Sequence, residues 1–184
     1  TITKDEQEKE VSIKVTSESG SVKTYKITFI KTKSEVEMPE QQIKVEQVLS
    51  NVDVKINEKF MSGIKEETTT TTLNNTITKE YPNVSVKITD KDGKSTSGKL
   101  KTGDKIKVTT NAEEKTYIIV IKGDTNGDGK ISTLDMLRVQ KHILNYNKLT
   151  NEFLEACDTN YDGKINTLDL LRVQKHILNY IELK

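Results

Sequence analysis

The sequence predicts a multi-domain chain in which an all-β region of sandwich type is followed by a small all-α unit built from two loop–helix repeats. Three observations carry this. Up to residue 122, short β-branched runs alternate apolar and polar residues with period two, and turn residues separate them. After Gly123 the apolar period lengthens to about 3.6, the signature of an amphipathic helix. The segment beginning at Asp124 then returns at Asp158, 34 residues later, and between Asp124–Tyr146 and Asp158–Tyr180 only Gly127/Tyr161, Ser132/Asn166 and Met136/Leu170 differ. So close a duplication governs how the rest is read.

Composition sets the outer limits. The 184 residues, 33% hydrophobic and 31% charged, suffice for one large or two small cores. A formal net charge of +1 gives no global field for nucleic acid or an anionic membrane, so any charge-based recognition must be local. The single Cys157 excludes an intrachain disulfide framework and leaves the compartment open. No apolar run approaches the roughly 18 residues a membrane helix needs. Thr1–Asp5 has neither a basic nor an apolar signal-peptide region and opens in the manner of a fragment cut from a longer chain.

In chain order, Val11–Thr16 and Val22–Ile30 alternate on either side of Ser17-Glu-Ser-Gly-Ser and read as a β-hairpin. The pair resembles the closing hairpin of cadherin-like or immunoglobulin-like modules. A lone hairpin is marginal in water, so residues 1–34 are expected to be the C-terminal hairpin of a truncated β-sandwich module or a strand pair packing on the next part of the chain. Lys31–Gln42, polar and carrying Pro39, reads as a linker. Strands are expected at Val52–Asn57, Val84–Thr89, Lys105–Thr109 and Lys115–Ile121, with turns at Asp90–Gly93 and Lys101–Asp104. Their spacing suggests an immunoglobulin-type sandwich over 43–122. The Thr68–Thr72 run has low helix propensity, while Leu73–Thr78 could belong to a short helix, and both states remain open.

In the third part, residues 123–184, the helix after the first loop places Met136, Val139, Gln140 and Ile143 on one stripe, flanked by Leu137 and Leu144, with Arg138, Lys141, His142 and Asn145 more exposed. The second helix repeats this with Leu170, Leu171, Val173, Ile177 and Leu178. Thr150 opens a short connecting helix toward Cys157.

Each loop has the oxygen pattern a hard cation requires. Counting twelve positions, Asp124, Asn126 and Asp128 stand at 1, 3 and 5, Gly129 at 6, the Lys130 carbonyl at 7, Ser132 at 9 and Asp135 at 12. The second loop supplies Asp158, Asn160, Asp162, Lys164, Asn166 and Asp169, with Gly163 at the turn. Ca²⁺ takes six to eight oxygens at roughly 2.3–2.6 Å, and a chain wound about it presents ligands at alternate positions with glycine at the sharp bend. No thiolate or imidazole stands in register, which argues against zinc. Position 12 is Asp rather than the usual bidentate Glu. Ile131 and Ile165, at position 8, could pair as a short bridge between loops. A β-branched strand, Tyr117–Ile121, leads into the first loop, so each repeat is a loop with an exiting helix only. With Met 3 in the whole chain, the adaptable methionine groove of a calcium sensor is missing too.

The stretches Gly123–Tyr146 and Cys157–Tyr180, each following Asp-x-Asn-x-Asp-Gly-x-Ile-x-x-x-Asp-x-Leu, resemble type I dockerins, and the placement of the preceding β region resembles the immunoglobulin-like X-modules beside some of them in secreted Gram-positive proteins. The resemblance implies two Ca²⁺ ions, two roughly antiparallel helices related by a pseudo-twofold axis, and one-to-one binding of the monomer to a cohesin domain on a scaffold or cell-surface protein. It places the partner contacts at Thr133, Leu134, Gln140, Lys141 and Asn145, and at Thr167, Leu168, Gln174, Lys175 and Asn179. Helical spacing adds Arg138 and Arg172 to these faces. A Thr-Leu pair stands where the best-known type I set has Ser-Thr.

The function expected is calcium-dependent docking to cohesin, anchoring a larger secreted protein in a cellulosome-like or cell-surface complex. The alternative is a calcium-rigidified adhesin stalk without a cohesin partner. No Ser/His/Asp, Cys/His or paired-acid constellation lies outside the loops, so the chain is not expected to be an enzyme, and any catalytic site of a longer protein would lie before Thr1. His142 and His176 read as rim or packing residues, Tyr146 and Tyr180 as packing residues, and Cys157 as a small apolar one. Without metal, the loop–helix part is expected to lose order while the β region stays folded.

Overall fold

The computed structural model describes residues 8–30 and 41–184, arranged as two compact units divided after Gln41. The linker expected over Lys31–Gln42 and the ends of the segment expected over 1–34 lie largely outside the described residues.

The first unit is the expected hairpin. β1 (Glu8–Thr16) pairs antiparallel with β2 (Val22–Ile30), Val11 opposite Ile27 and Ile13 opposite Tyr25. Period-two patterning therefore gathers Val11, Ile13, Val15, Tyr25, Ile27 and Phe29 on one face of the ribbon. The connection closes through Ser17, whose hydroxyl accepts the Ser21 N–H at 3.1 Å, and through Gly20 at φ 83°.

The second unit, Gln42–Lys184, contains both the β-rich part and the loop–helix repeats, so the division expected at residue 122 falls inside one compact body. Its order is α1 (Val45–Ser50), β3 (Lys55–Asn57), β4 (Phe60–Ser62), α2 (Thr70–Thr78), β5 (Ser85–Thr89), β6 (Lys105–Thr109), β7 (Glu114–Ile119), α3 (Thr133–Ile143), α4 (Asn151–Cys157) and α5 (Thr167–Ile177).

Among the described residues, 43–122 does not form the immunoglobulin-type sandwich of two sheets. It forms one five-stranded sheet in the order β3-β4-β7-β6-β5, antiparallel except for the β4–β7 pair. Helices supply the cover that a second sheet would give. Val45, Val48 and Leu49 of α1 and Leu73 and Ile77 of α2 join Met61, Ile106, Val108, Tyr117 and Ile119 of the sheet in one buried cluster. Each such aliphatic side chain contributes about 1.5–3 kcal/mol by leaving water, enough to override the poor helix propensity of the threonine run. Thr69 caps α2 by accepting the Thr72 N–H at 3.1 Å. The first helix has no side-chain cap from its own N-terminal residue. Glu113, in the β6–β7 turn, accepts the Val45 N–H at 2.7 Å instead.

β7 runs into Val120, Ile121 and Lys122, all fully buried, and delivers the chain to the first loop. A strand, not a helix, precedes Asp124, as expected.

Candidate calcium loops and docking face

The loops are built from side chains that turn back on their own backbone. Asp124 Oδ1 accepts the N–H groups of Gly127 (2.9 Å) and Asp128 (3.1 Å), and its Oδ2 accepts those of Gly129 (3.2 Å) and Thr102 (2.9 Å). Asp135 Oδ1 receives Thr125 and Asn126, while Oδ2 receives the Ser132 amide at 2.9 Å. The last of these completes a capping box at the N-terminus of α3, in which Ser132 accepts in return. Asp at position 12 thus closes the loop and starts the helix with one short side chain. The second loop repeats the scheme: Asp158 accepts Asp162 and Gly163, and Asp169 accepts Thr159 and caps Asn166.

Asp124, Asp135 and Asp169 are fully buried and Asp158 is 9% exposed, whereas Asn126, Ser132, Asn160 and Asn166 are half-buried and Asp128, Asp162, Lys130 and Lys164 exposed. The buried carboxylates are held by N–H and hydroxyl groups rather than by a basic side chain. Burial pushes the Asp124 carboxyl up to about 6; the Asp135 charge adds to this, and the Thr102, Gly129 and Gly127 amides oppose it. Among the described residues no three Asp, Glu, His or Cys side chains are gathered into a ready metal cage; what fits a hard divalent ion such as calcium is the donor chemistry, oxygen atoms alone at alternate positions of each loop.

The two repeats pair through α3 and α5, with Val139 and Val173 fully buried between them. Their internal bonds recur at equivalent positions. Arg138 Nε donates to Thr125 O at 2.9 Å, and Arg172 Nε to Thr159 O at 3.1 Å. Leu149 N–H donates to His142 Nδ1 and Leu183 N–H to His176 Nδ1, at 3.0 and 3.2 Å. Both histidines, half-buried, thus serve as acceptors for the chain after each helix. Asn145 and Asn179 take the left-handed conformation at φ 59° and 58°, and the next N–H groups, of Tyr146 and Tyr180, bond back to Lys141 O and Lys175 O.

The expected partner residues Thr133, Leu134, Gln140, Lys141 and Asn145 are all exposed, as are Thr167, Leu168, Gln174, Lys175 and Asn179. Arg138 and Arg172 are half-buried and brace the loops, which limits their part in the outer face. Gln140 is exposed rather than on the packed stripe. Tyr146 and Tyr180 are not packed; they are 83% and 76% exposed. Leu137, Leu144, Leu171 and Leu178 are also exposed, so Leu134, Leu137, Lys141 and Leu144 form an uncovered stripe. Their spacing of three and four residues was the available signal. The Ile131–Ile165 bridge is absent among the described residues: the Ile131 N–H donates to Glu66 Oε1 at 2.8 Å.

The three differences between repeats have a structural setting. Gly127 leaves no room for a side chain, because an added Cβ would lie 2.9 Å from Thr102 O and 3.0 Å from the Phe153 ring. Its counterpart Tyr161 lies under the Lys55 and Lys122 ammoniums, 3.4 and 4.4 Å from the ring centre, and donates its hydroxyl to Lys184 O at 2.6 Å. The capping hydroxyl of Ser132 becomes the Asn166 amide oxygen, each accepting the N–H two residues on. Met136 and Leu170 fill equivalent half-buried positions against the core. Cys157 is buried, and burial pushes its thiol up to about 12, which suits a packing residue.

No curated protein matches the chain. The Dockerin type I domain family model matches residues 122–178, which span both loops, α3, α4 and α5. Dockerins are non-catalytic modules that bind calcium and dock onto cohesin domains, and residues 122–178 are a type I dockerin domain.

Proposed function

We propose that this chain anchors a larger secreted protein to a cohesin-bearing scaffold or cell surface, with residues 123–184 as the docking part and the β-rich 43–122 as its support. Two calcium ions are held, one by Asp124, Asn126, Asp128, the Lys130 carbonyl, Ser132 and Asp135, the other by Asp158, Asn160, Asp162, the Lys164 carbonyl, Asn166 and Asp169. What carries the reading is the duplication of the exposed face itself. Solubility does not require the same Thr-Leu, Gln-Lys and Asn on both helices, whereas a partner that can be met by either helix does. The two faces are then alternative docking surfaces in orientations related by about 180°, each used by one cohesin at a time. Calcium acts by fixing the loop from which each helix starts, and with it the position of Leu134 or Leu168 at the helix N-terminus.

Calorimetric titration of the full chain with candidate cohesins, in calcium and in excess chelator, tests this. Saturable one-to-one binding in calcium that disappears with chelator is expected. Absence of binding to every cohesin while calcium is bound would leave the stalk reading in its place.

A further inference from the structure

We propose that the first calcium loop is a site shared between the dockerin domain and the β-rich part, so that filling it and seating the Leu100–Thr102 turn against it are one equilibrium, while the second loop fills independently of that turn. The inference rests on the calcium reading above. It comes from an asymmetry in a nearly identical pair of loops.

Asp124 and Asp158 hold the same position, and each accepts N–H groups from its own loop. Asp124 alone also receives one from outside, the Thr102 N–H at 2.9 Å, across 22 residues of sequence. Thr102 is itself fixed, since its hydroxyl accepts the Ile121 N–H at 3.1 Å. The two bend glycines differ in the same sense. A Cβ on Gly129 would meet Leu100 O at 3.0 Å and Lys101 Cγ at 3.1 Å, whereas one on Gly163 would meet nothing within 4 Å. Gly127 lies equally close to Thr102 O, while Tyr161 occupies that position in the second loop with its side chain turned to Lys55 and Lys122. One loop is thus flush against the turn through two glycines and one carboxylate, and the other lacks all three contacts.

The coupling follows from the geometry. An ion in the first loop requires the loop wound, and the wound loop is what brings Asp124 Oδ2 to the Thr102 N–H and lays Gly127 and Gly129 against Thr102 O and Leu100 O. By linkage, whatever seats Leu100–Thr102 raises calcium affinity at this loop by the same factor. Thr102 and Leu100 are therefore positioning residues for the metal. The order expected to survive metal removal in the β region does not extend to this turn.

Hydrogen exchange on the full chain, with calcium and with excess chelator, reads the coupling directly. Chelation is expected to speed exchange of the Thr102 amide at least about tenfold, the scale of one hydrogen bond to a charged group, while Val108 in the middle of the sheet stays protected. Equal protection of Thr102 in both conditions overturns the proposal. A second test copies the second loop into the first with Gly127→Tyr, which keeps every ligand and a φ that Tyr161 already adopts. Calcium titration should then show one of two sites weakened about tenfold, and two sites of unchanged affinity would count against the coupling. If this variant does not fold, the exchange result on the unmodified chain still decides. A chain that takes up no calcium at all sinks the calcium reading as well; calcium uptake with Thr102 unaffected sinks only the coupling.

Discussion

Glu66 Oε2 lies 3.0 Å from His176 Nε2, and the same carboxylate accepts the Ile131 N–H through Oε1. One side chain of the β-rich part therefore holds a loop of the first repeat and a helix of the second. Since Leu183 N–H donates to His176 Nδ1, the ring proton sits on Nε2 and is donated to Glu66. Glu66→Ala strands the N–H donor of the buried Ile131 and should lower stability by about 1–3 kcal/mol, measured by urea unfolding in saturating calcium. A variant as stable as the parent would contradict the bridging role.

The Asp124 carboxyl, raised to about 6 chiefly by its burial in the wound loop, predicts a pH-dependent calcium affinity. A carboxyl raised in the folded loop holds its proton more tightly, and calcium needs the ionised form. Affinity should therefore hold above about pH 6 and fall progressively below it. Calcium titrations at pH 5 and 7 check the sign; equal affinity at both would contradict the assignment.

Lys122 is fully buried, and its ammonium is satisfied by Glu155 O at 2.7 Å, by Glu155 Oε1 at 2.9 Å and by the Tyr161 ring. A buried pair often stabilises little against an apolar substitute, yet removing one partner leaves a charge out of water. Glu155→Ala should cost about 3 kcal/mol and Lys122→Met considerably less. Equilibrium unfolding of both decides: equal losses would mean that the backbone carbonyl and the ring suffice to hold the ammonium.

How much of the fold and the site was legible in the sequence depended on where each element finds its partners. The loops could be read because their bend glycines, capping boxes and the carboxylates that turn back on the backbone lie within twelve consecutive residues, and the β1–β2 hairpin because its register is set by its own alternation. The α1 helix was not legible, for its first amide is capped by Glu113, 68 residues away. The α2 helix was undecided because Thr70–Thr72 disfavours helix locally and only burial of Leu73 and Ile77 settles it. The sandwich expectation failed for the same reason: strand spacing specifies strands, but what covers their inner face is a tertiary choice. Tyr146 and Tyr180 are exposed against expectation, since an aromatic at a helix end has no local feature that tells core from surface.

Leu134 and Leu168, 61% and 57% exposed, offer the sharpest test of the docking face. Both sit in the first turn of their helices, where a new carboxylate is favoured by the helix dipole, so Leu134→Asp and Leu168→Asp should leave folding intact. If either helix can meet the cohesin, each single variant retains one good face and loses only the statistical half of its affinity, about twofold. The double variant has no intact face. An exposed leucine acting as an interface anchor is worth about 2 kcal/mol, so binding should weaken about thirtyfold or more. Calorimetry on the four proteins, with circular dichroism confirming equal helix content, distinguishes the possibilities. Collapse of binding in one single variant with no effect in the other would mean that only one helix docks, and that the duplicated face is not interchangeable.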